Sequence, residues 1–254
     1  MAGPSRVSWT LVALGAALLA VGIGGWLHFR PAAPLPVATP VAVAPAPPTV
    51  PVPPDPPLPP PADTDARLRG LFAALSPLGA WRAWLTKDDL LTRLVATADV
   101  LSQGETPRTQ LDFLAPRKVF AAEHRHGRLV IDPRSYRRYD AVADVIGSLD
   151  ARACAKTYGA LLPLLRVAYH VFGYPQRDFD QTVHRALARL EAAPLPRDEP
   201  QLLSVKGALY RFADPRLEAL DGVQKQLLRM GPRNMVRIQT KAREFDALIK
   251  AGPD

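Results

Sequence analysis

Fifteen prolines fall between Pro31 and Ala62, and the only charge in that stretch is Asp55. Each proline fixes its own φ and removes a backbone donor, so the segment supports neither a helical ladder nor a sheet. The expected state is polyproline II, a semi-rigid spacer of about 3.1 Å per residue that spans on the order of 100 Å when extended. The other 13 of the 28 prolines are scattered as punctuation elsewhere. The block therefore divides the chain into a leader (1–30), a spacer (31–62) and a body (63–254).

The leader contains the run Trp9–Phe29, which has no Asp, Glu, Lys or Arg. At about 1.5 Å rise per residue, about 20 such residues cross a hydrocarbon core of about 30 Å. The run is longer than the apolar part of a secretory signal, and Trp26-Leu27-His28-Phe29-Arg30 is a poor cleavage context, so an uncleaved transmembrane helix is expected. Arg6 and the amino terminus favour a cytoplasmic start by the positive-inside bias. That topology makes the protein single-pass in an inner membrane, with its C-terminal body in the periplasm and membrane lipid as the partner of the leader.

The body reads as mainly α, a compact multi-helix domain with one small β-hairpin. Leu68, Leu71, Phe72 and Leu75 recur at helical spacing before Ser76-Pro77-Leu78-Gly79 breaks the pattern. Thr86 and Asp89 have the spacing of a capping box ahead of a core helix that would bury Leu91, Leu94, Val95, Ala98 and Leu101. Val119-Phe120 and Leu129–Ile131 flank His124-Arg125-His126-Gly127 as the hairpin. Asp132-Pro133 opens a short helix with Tyr136 and Tyr139, and a second piece covers 142–149. Asp150 caps a long helix to about Phe172, with Pro163 inside it and Gly159 four residues earlier easing the kink. A helix over 179–191 turns Phe179, Val183, Leu187 and Leu190 inward. From Tyr210 to Phe245 three helices follow one another, opened by Asp214-Pro215 and separated at Gly231-Pro232, with Ile238, Ala242, Phe245 and Ile249 on the inner stripe of the last.

Four runs together, Tyr210–Phe245, Val130-Ile131-Asp132-Pro133 leading into SYRRYD, LLPLLRVAYHVFGYP (161–175) and LLTRLVATADVL (90–101), resemble the bacterial family known as domain of unknown function 3014. The resemblance covers roughly Leu85–Leu248. It implies no catalytic or binding residue.

Formal net charge is +8; Arg6 and Arg30 against Asp55 account for one unit, leaving about +7 on the body. Such an excess suggests an anionic partner such as phospholipid headgroups, an acidic glycan or nucleic acid. Nucleic acid is not expected, since no docking motif or aromatic-interleaved basic stripe is visible. One cysteine excludes an intramolecular disulfide and a multi-cysteine metal site. Phosphate-binding glycine loops, G-x-S-x-G and H-E-x-x-H are missing, so no cofactor is expected and no catalytic residue is assigned. His124 and His126 would share a strand face as a metal pair, but beside a turn they read as surface residues. Cys154 reads as a buried structural thiol and the six tyrosines as core residues with wet hydroxyls.

Two basic runs remain. Arg117, Lys118, Arg125, Arg128, Arg134, Arg137 and Arg138 crowd one segment; Lys225, Arg229, Arg233, Arg237, Lys241 and Arg243 lie along the C-terminal helices. From these, Arg134, Arg137, Arg138, Lys225, Arg229, Arg233 and Arg237 are taken as the binding surface. The expected function is a non-enzymatic binding or envelope-organising module for an envelope protein or anionic cell-wall polymer. The alternative is an envelope enzyme with its site in a helical cleft lined by tyrosines and acids such as Asp132 and Asp214.

Overall fold

A computed structural model describes residues 58, 59, 61–173, 177–205 and 209–252. Helix α1 (Pro61–Phe72) is followed by a 3-10 turn at 73–75, α2 (Gly79–Trp84) and α3 (Leu90–Ser102). Strands β1 (Ala122–Arg125) and β2 (Arg128–Ile131) lead into α4 (Pro133–Arg137), α5 (Asp140–Ser148), α6 (Ala151–Val171) and α7 (Phe179–Glu191). Strands β3 (Leu202–Val205) and β4 (Leu209–Phe212) precede α8 (Pro215–Glu218), α9 (Gly222–Met230) and α10 (Pro232–Ala251). The architecture is mainly helical, as expected, but the described residues hold two antiparallel hairpins where one was predicted. Tyr210 belongs to the second of them, so the helical stretch starts at Pro215.

Two buried clusters organise the packing. In the first, Leu68 and Phe72 of α1 meet Leu91 and Val95 of α3, Leu161, Leu165 and Tyr169 of α6, and Phe179 and Val183 of α7. In the second, Ile131, Leu202 and Phe212 from the hairpins meet Leu227, Leu228 and Met230 of α9 and Met235 and Ile238 of α10. Helix α10 joins them. It packs on α5, α6, α7 and α9, with Met235 and Ile238 in the second cluster and Phe245 and Ile249 against the first. Its buried Gln239 also gives Nε2 to the carbonyls of Leu190, Glu191 and Ala193, satisfying the end of α7 that no intrahelical donor reaches.

Local signals from sequence mostly fall where expected. Asp132, Asp150 and Asp214 cap the helices they precede, as expected, and Asp178 and Asp221 add two caps that the sequence reading does not include. The Thr86–Asp89 capping box is an exception. Thr86 Oγ1 donates instead to the Ala83 carbonyl, and Asp89 takes a left-handed φ of 59°. Asp65 of α1, only 6% exposed, caps α3 from outside: its carboxylate accepts from the amides of Asp89 and Leu90, each at 2.9 Å. Leu94 is exposed rather than buried, because the inner stripe of α3 runs Leu91, Val95, Asp99, Ser102. Buried Asp99 is held by Tyr169 Oη at 2.8 Å and Gln103 Nε2 at 2.6 Å. Phe172, expected on the inner face of α6, is 40% exposed at the helix end.

Helix α6 runs through Pro163 without interruption. The sequence predicts that Gly159 eases the kink at Pro163, and no neighbouring element comes within 4 Å of where a Cβ at 159 would lie. The relevant fact is orientation: Pro163 lies on the exposed face, where solvent can take the carbonyl it frees. The His126-Gly127 turn decides between the two readings of the histidines in favour of surface residues, since His124 and His126 are both exposed. Both residues have positive φ (49° and 74°), as a two-residue hairpin of the I′ type requires, so His126 leaves the strand and shares no face with His124.

Among the described residues no helix is long and apolar enough to cross a membrane. The expected span Trp9–Phe29 and nearly all of the proline segment lie outside them. Leu58 packs on the first cluster, and α1 starts at Pro61.

Candidate anion-binding cleft

Asp132 fixes the start of α4 by accepting from the Arg134 amide at 2.7 Å, with Pro133 at the first helical position. One turn of helix then separates Arg134 from Arg137 and Arg138. Opposite α4 runs the irregular segment 115–121, and a single buried serine joins the two. Ser135, 1% exposed, accepts from the Ala121 amide at 2.8 Å and donates to the Ala121 carbonyl at 2.9 Å. Arg138 makes the second link. Its Nε donates to the Ser135 carbonyl (3.1 Å) and its Nη1 to the Lys118 carbonyl (2.8 Å), while its guanidinium lies over the rings of Phe120 and Tyr139. Phe120 in turn packs on Tyr210 of the second hairpin, with centroids 5.4 Å apart.

The result is an open cleft of about 420 Å³, lined among the described residues by Arg117, Lys118, Arg134, Arg137 and Arg138. All five are cations, and among the described residues none of them pairs with a carboxylate. Like charges gathered in one concavity raise the local positive potential, which favours an anion there. Arginine suits the task because its planar fork can donate two parallel hydrogen bonds to a phosphate or carboxylate.

The C-terminal basic run differs. Arg233 pairs with Asp140 at 3.8 Å, Arg237 with Asp144, and Lys241 with Glu244 at 2.6 Å. Lys225 Nζ reaches the Glu218 carbonyl at 3.0 Å and its carboxylate at 3.5 Å. Burial pushes Glu218 up, but the Phe212 amide with Lys225 and Arg211 outweighs it and holds the carboxyl below its ordinary range. Arg229 lies over the Phe212 ring and donates to the Tyr210 carbonyl. Four of the seven predicted binding residues thus have partners away from the cleft, whereas the partners of Arg138 belong to the cleft wall itself. The other three come together in the cleft, joined by Arg117 and Lys118, whose place opposite α4 depends on the Ser135 link rather than on any local pattern. Arg125 and Arg128 turn away to Glu199.

The remaining chemical candidates have structural roles. Asp132 and Asp214 are helix caps. Cys154 is half-buried, and burial pushes its thiol up to about 11. Tyr136 lines a smaller cavity of about 200 Å³ with Pro196–Pro200, Leu228, Pro232 and Met235, and burial pushes its hydroxyl up to about 12. His184 Nδ1 meets Asp246 at 2.7 Å, with Lys250 on the other carboxylate oxygen. Among the described residues no group of three or more His, Cys, Asp or Glu could hold a metal ion.

Neither a curated protein nor a solved structure matches the chain. A family model described as Protein of unknown function (DUF3014) matches residues 90–246, from the start of α3 to near the end of α10 and across the whole cleft. With more than half of its length matched, the chain belongs to that family.

Proposed function

We propose that the chain is a single-pass inner-membrane protein whose periplasmic body is a non-enzymatic binding module, and that the five-cation cleft is the surface it offers to an anionic partner. The apolar leader and the proline spacer support the tethered arrangement. The cleft supports the binding role, and one observation carries it. Among the described residues no carboxylate pairs with any of the five cations of this one concavity, whereas four cations of the C-terminal run, Lys225, Arg233, Arg237 and Lys241, pair with Glu218, Asp140, Asp144 and Glu244. Such a lining supplies hydrogen-bond donors and positive potential. The acids an envelope enzyme would draw on, Asp132 and Asp214, are occupied at helix starts.

Titrating the full-length chain with inorganic polyphosphate at several salt concentrations tests the binding role. If all five cations engage phosphates, log K falls linearly with log salt with a slope of about −3 to −4. A flat salt dependence, or no binding, contradicts it. Alkaline phosphatase fused after Asp254 tests the topology, being active only if the body is periplasmic.

A further inference from the structure

We infer that the cleft docks on an anionic phospholipid surface, its cations taking lipid phosphates while Val119 enters the boundary between headgroups and acyl chains. This rests on the anion-binding reading above and names its ligand class. The composition of the segment opposite α4 is the first support. Residues 115–122 read Ala-Pro-Arg-Lys-Val-Phe-Ala-Ala, so apart from Arg117 and Lys118 every side chain is apolar. Of these, Phe120 packs on the second cluster and under Arg138, which leaves Val119 as the exposed large apolar side chain beside the cations. A membrane interface uses both, because basic side chains can keep their charges at the phosphates while apolar neighbours go deeper.

Exposure is the second support. Val119 is 89% exposed, the most of any large hydrophobic residue among those described, and it stands between Lys118, which lines the cleft, and Phe120, which lies under Arg138. A lone exposed apolar side chain is ordinary. This one is distinguished by its place and by how firmly it is held. Ala121 is clamped in both directions by Ser135, the Lys118 carbonyl by Arg138, and Phe120 by Tyr210. The tip is therefore presented on a braced segment, with little conformational entropy left to lose on docking. Attraction to an anionic leaflet acts within a Debye length of about 8–10 Å, so the cations and the tip must lie close together, and Val119 directly follows Arg117 and Lys118 in the chain.

The test uses full-length protein returned to bilayer discs of phosphatidylcholine alone or mixed with phosphatidylglycerol, with amide hydrogen exchange read at 115–121 and 133–138. The expected result is slower exchange in both segments with phosphatidylglycerol only, reversed by high salt. Protection should fall about fivefold for Arg134→Ala and again about fivefold for Arg137→Ala. Val119→Asp, at a site exposed enough to leave folding unaffected, should abolish protection of 115–121 in the discs. Equal exchange in the two kinds of disc, with inorganic polyphosphate still slowing 133–138, overturns lipid docking and leaves the anion cleft standing. No protection from lipid or polyphosphate overturns both.

Discussion

Gly231 sits at φ 85° and ψ 161°, a region that is essentially closed to other residues, and a Cβ there would lie 2.6 Å from Tyr136 Cγ. Backbone strain and collision act together, so Gly231→Ala should cost about 2–4 kcal/mol in urea unfolding, more than strain alone. Cys154 gives a chemical readout at the same scale. With its thiol raised to about 11, the thiolate is scarce near neutral pH. Alkylation at pH 8 should run more than about a hundredfold slower in the folded chain than after unfolding in urea, where the thiol returns to about 8.5. Comparable rates would mean that the thiol is not sequestered. At Asp246, burial acts to raise the carboxyl, but Lys250 and His184 outweigh it and hold it below its ordinary value. A depressed folded value stabilises the protein above the unfolded carboxylate range. That contribution is lost as pH falls through the folded value, below about 4. Asp246→Asn should therefore cost about 1–2 kcal/mol at pH 7 and flatten the acid limb of the stability profile. An unchanged limb would assign the acid sensitivity to other carboxylates.

At the scale of elements, the start of α3 separates a local signal from a tertiary one. Asp65→Ala leaves the buried amide of Leu90 and the part-buried amide of Asp89 without their acceptor and should cost about 1–3 kcal/mol in chemical denaturation. Thr86→Ala, at the spacing that imitates a capping box, should change stability by less than about 0.5 kcal/mol. The reverse order would restore the local cap. This contrast shows why much of the fold was legible and some was not. Asp-Pro at 132 and 214, Asp150 and Gly231-Pro232 act within a few residues, so their caps and stops can be read along the chain. Asp65 acts on residues 24 and 25 positions away, Gln239 on the end of α7, and Asp99 on Tyr169. Such partners exist only after the helices have packed. The second hairpin escaped notice for a related reason: Leu202–Val205 and Leu209–Phe212 are four-residue strands, too short for alternation to separate them from a loop.

At the scale of the whole molecule, α10 ties both clusters together, and the two hairpins fix the segments that flank the cleft. The site was half legible. Arg134, Arg137 and Arg138 lie within one helical turn and its end, so sequence proximity alone collects them. Their joining with Arg117 and Lys118 depends on Ser135 reaching back 14 residues to Ala121. The neutrality of the C-terminal run depends on Asp140 and Asp144, which come from α5, roughly 90 residues away along the chain. Charge counting cannot distinguish a paired arginine from an unpaired one. The central claim is that the cleft, and not the longer basic run, binds anions. Its most direct test compares Arg134→Ala/Arg137→Ala with Arg233→Ala/Arg237→Ala in the full-length chain, measuring polyphosphate affinity at fixed low salt. The cleft pair should weaken binding at least tenfold and the C-terminal pair by less than about twofold, since those charges are already balanced. Equal losses from the two pairs, or a larger loss from Arg233→Ala/Arg237→Ala, would contradict the assignment.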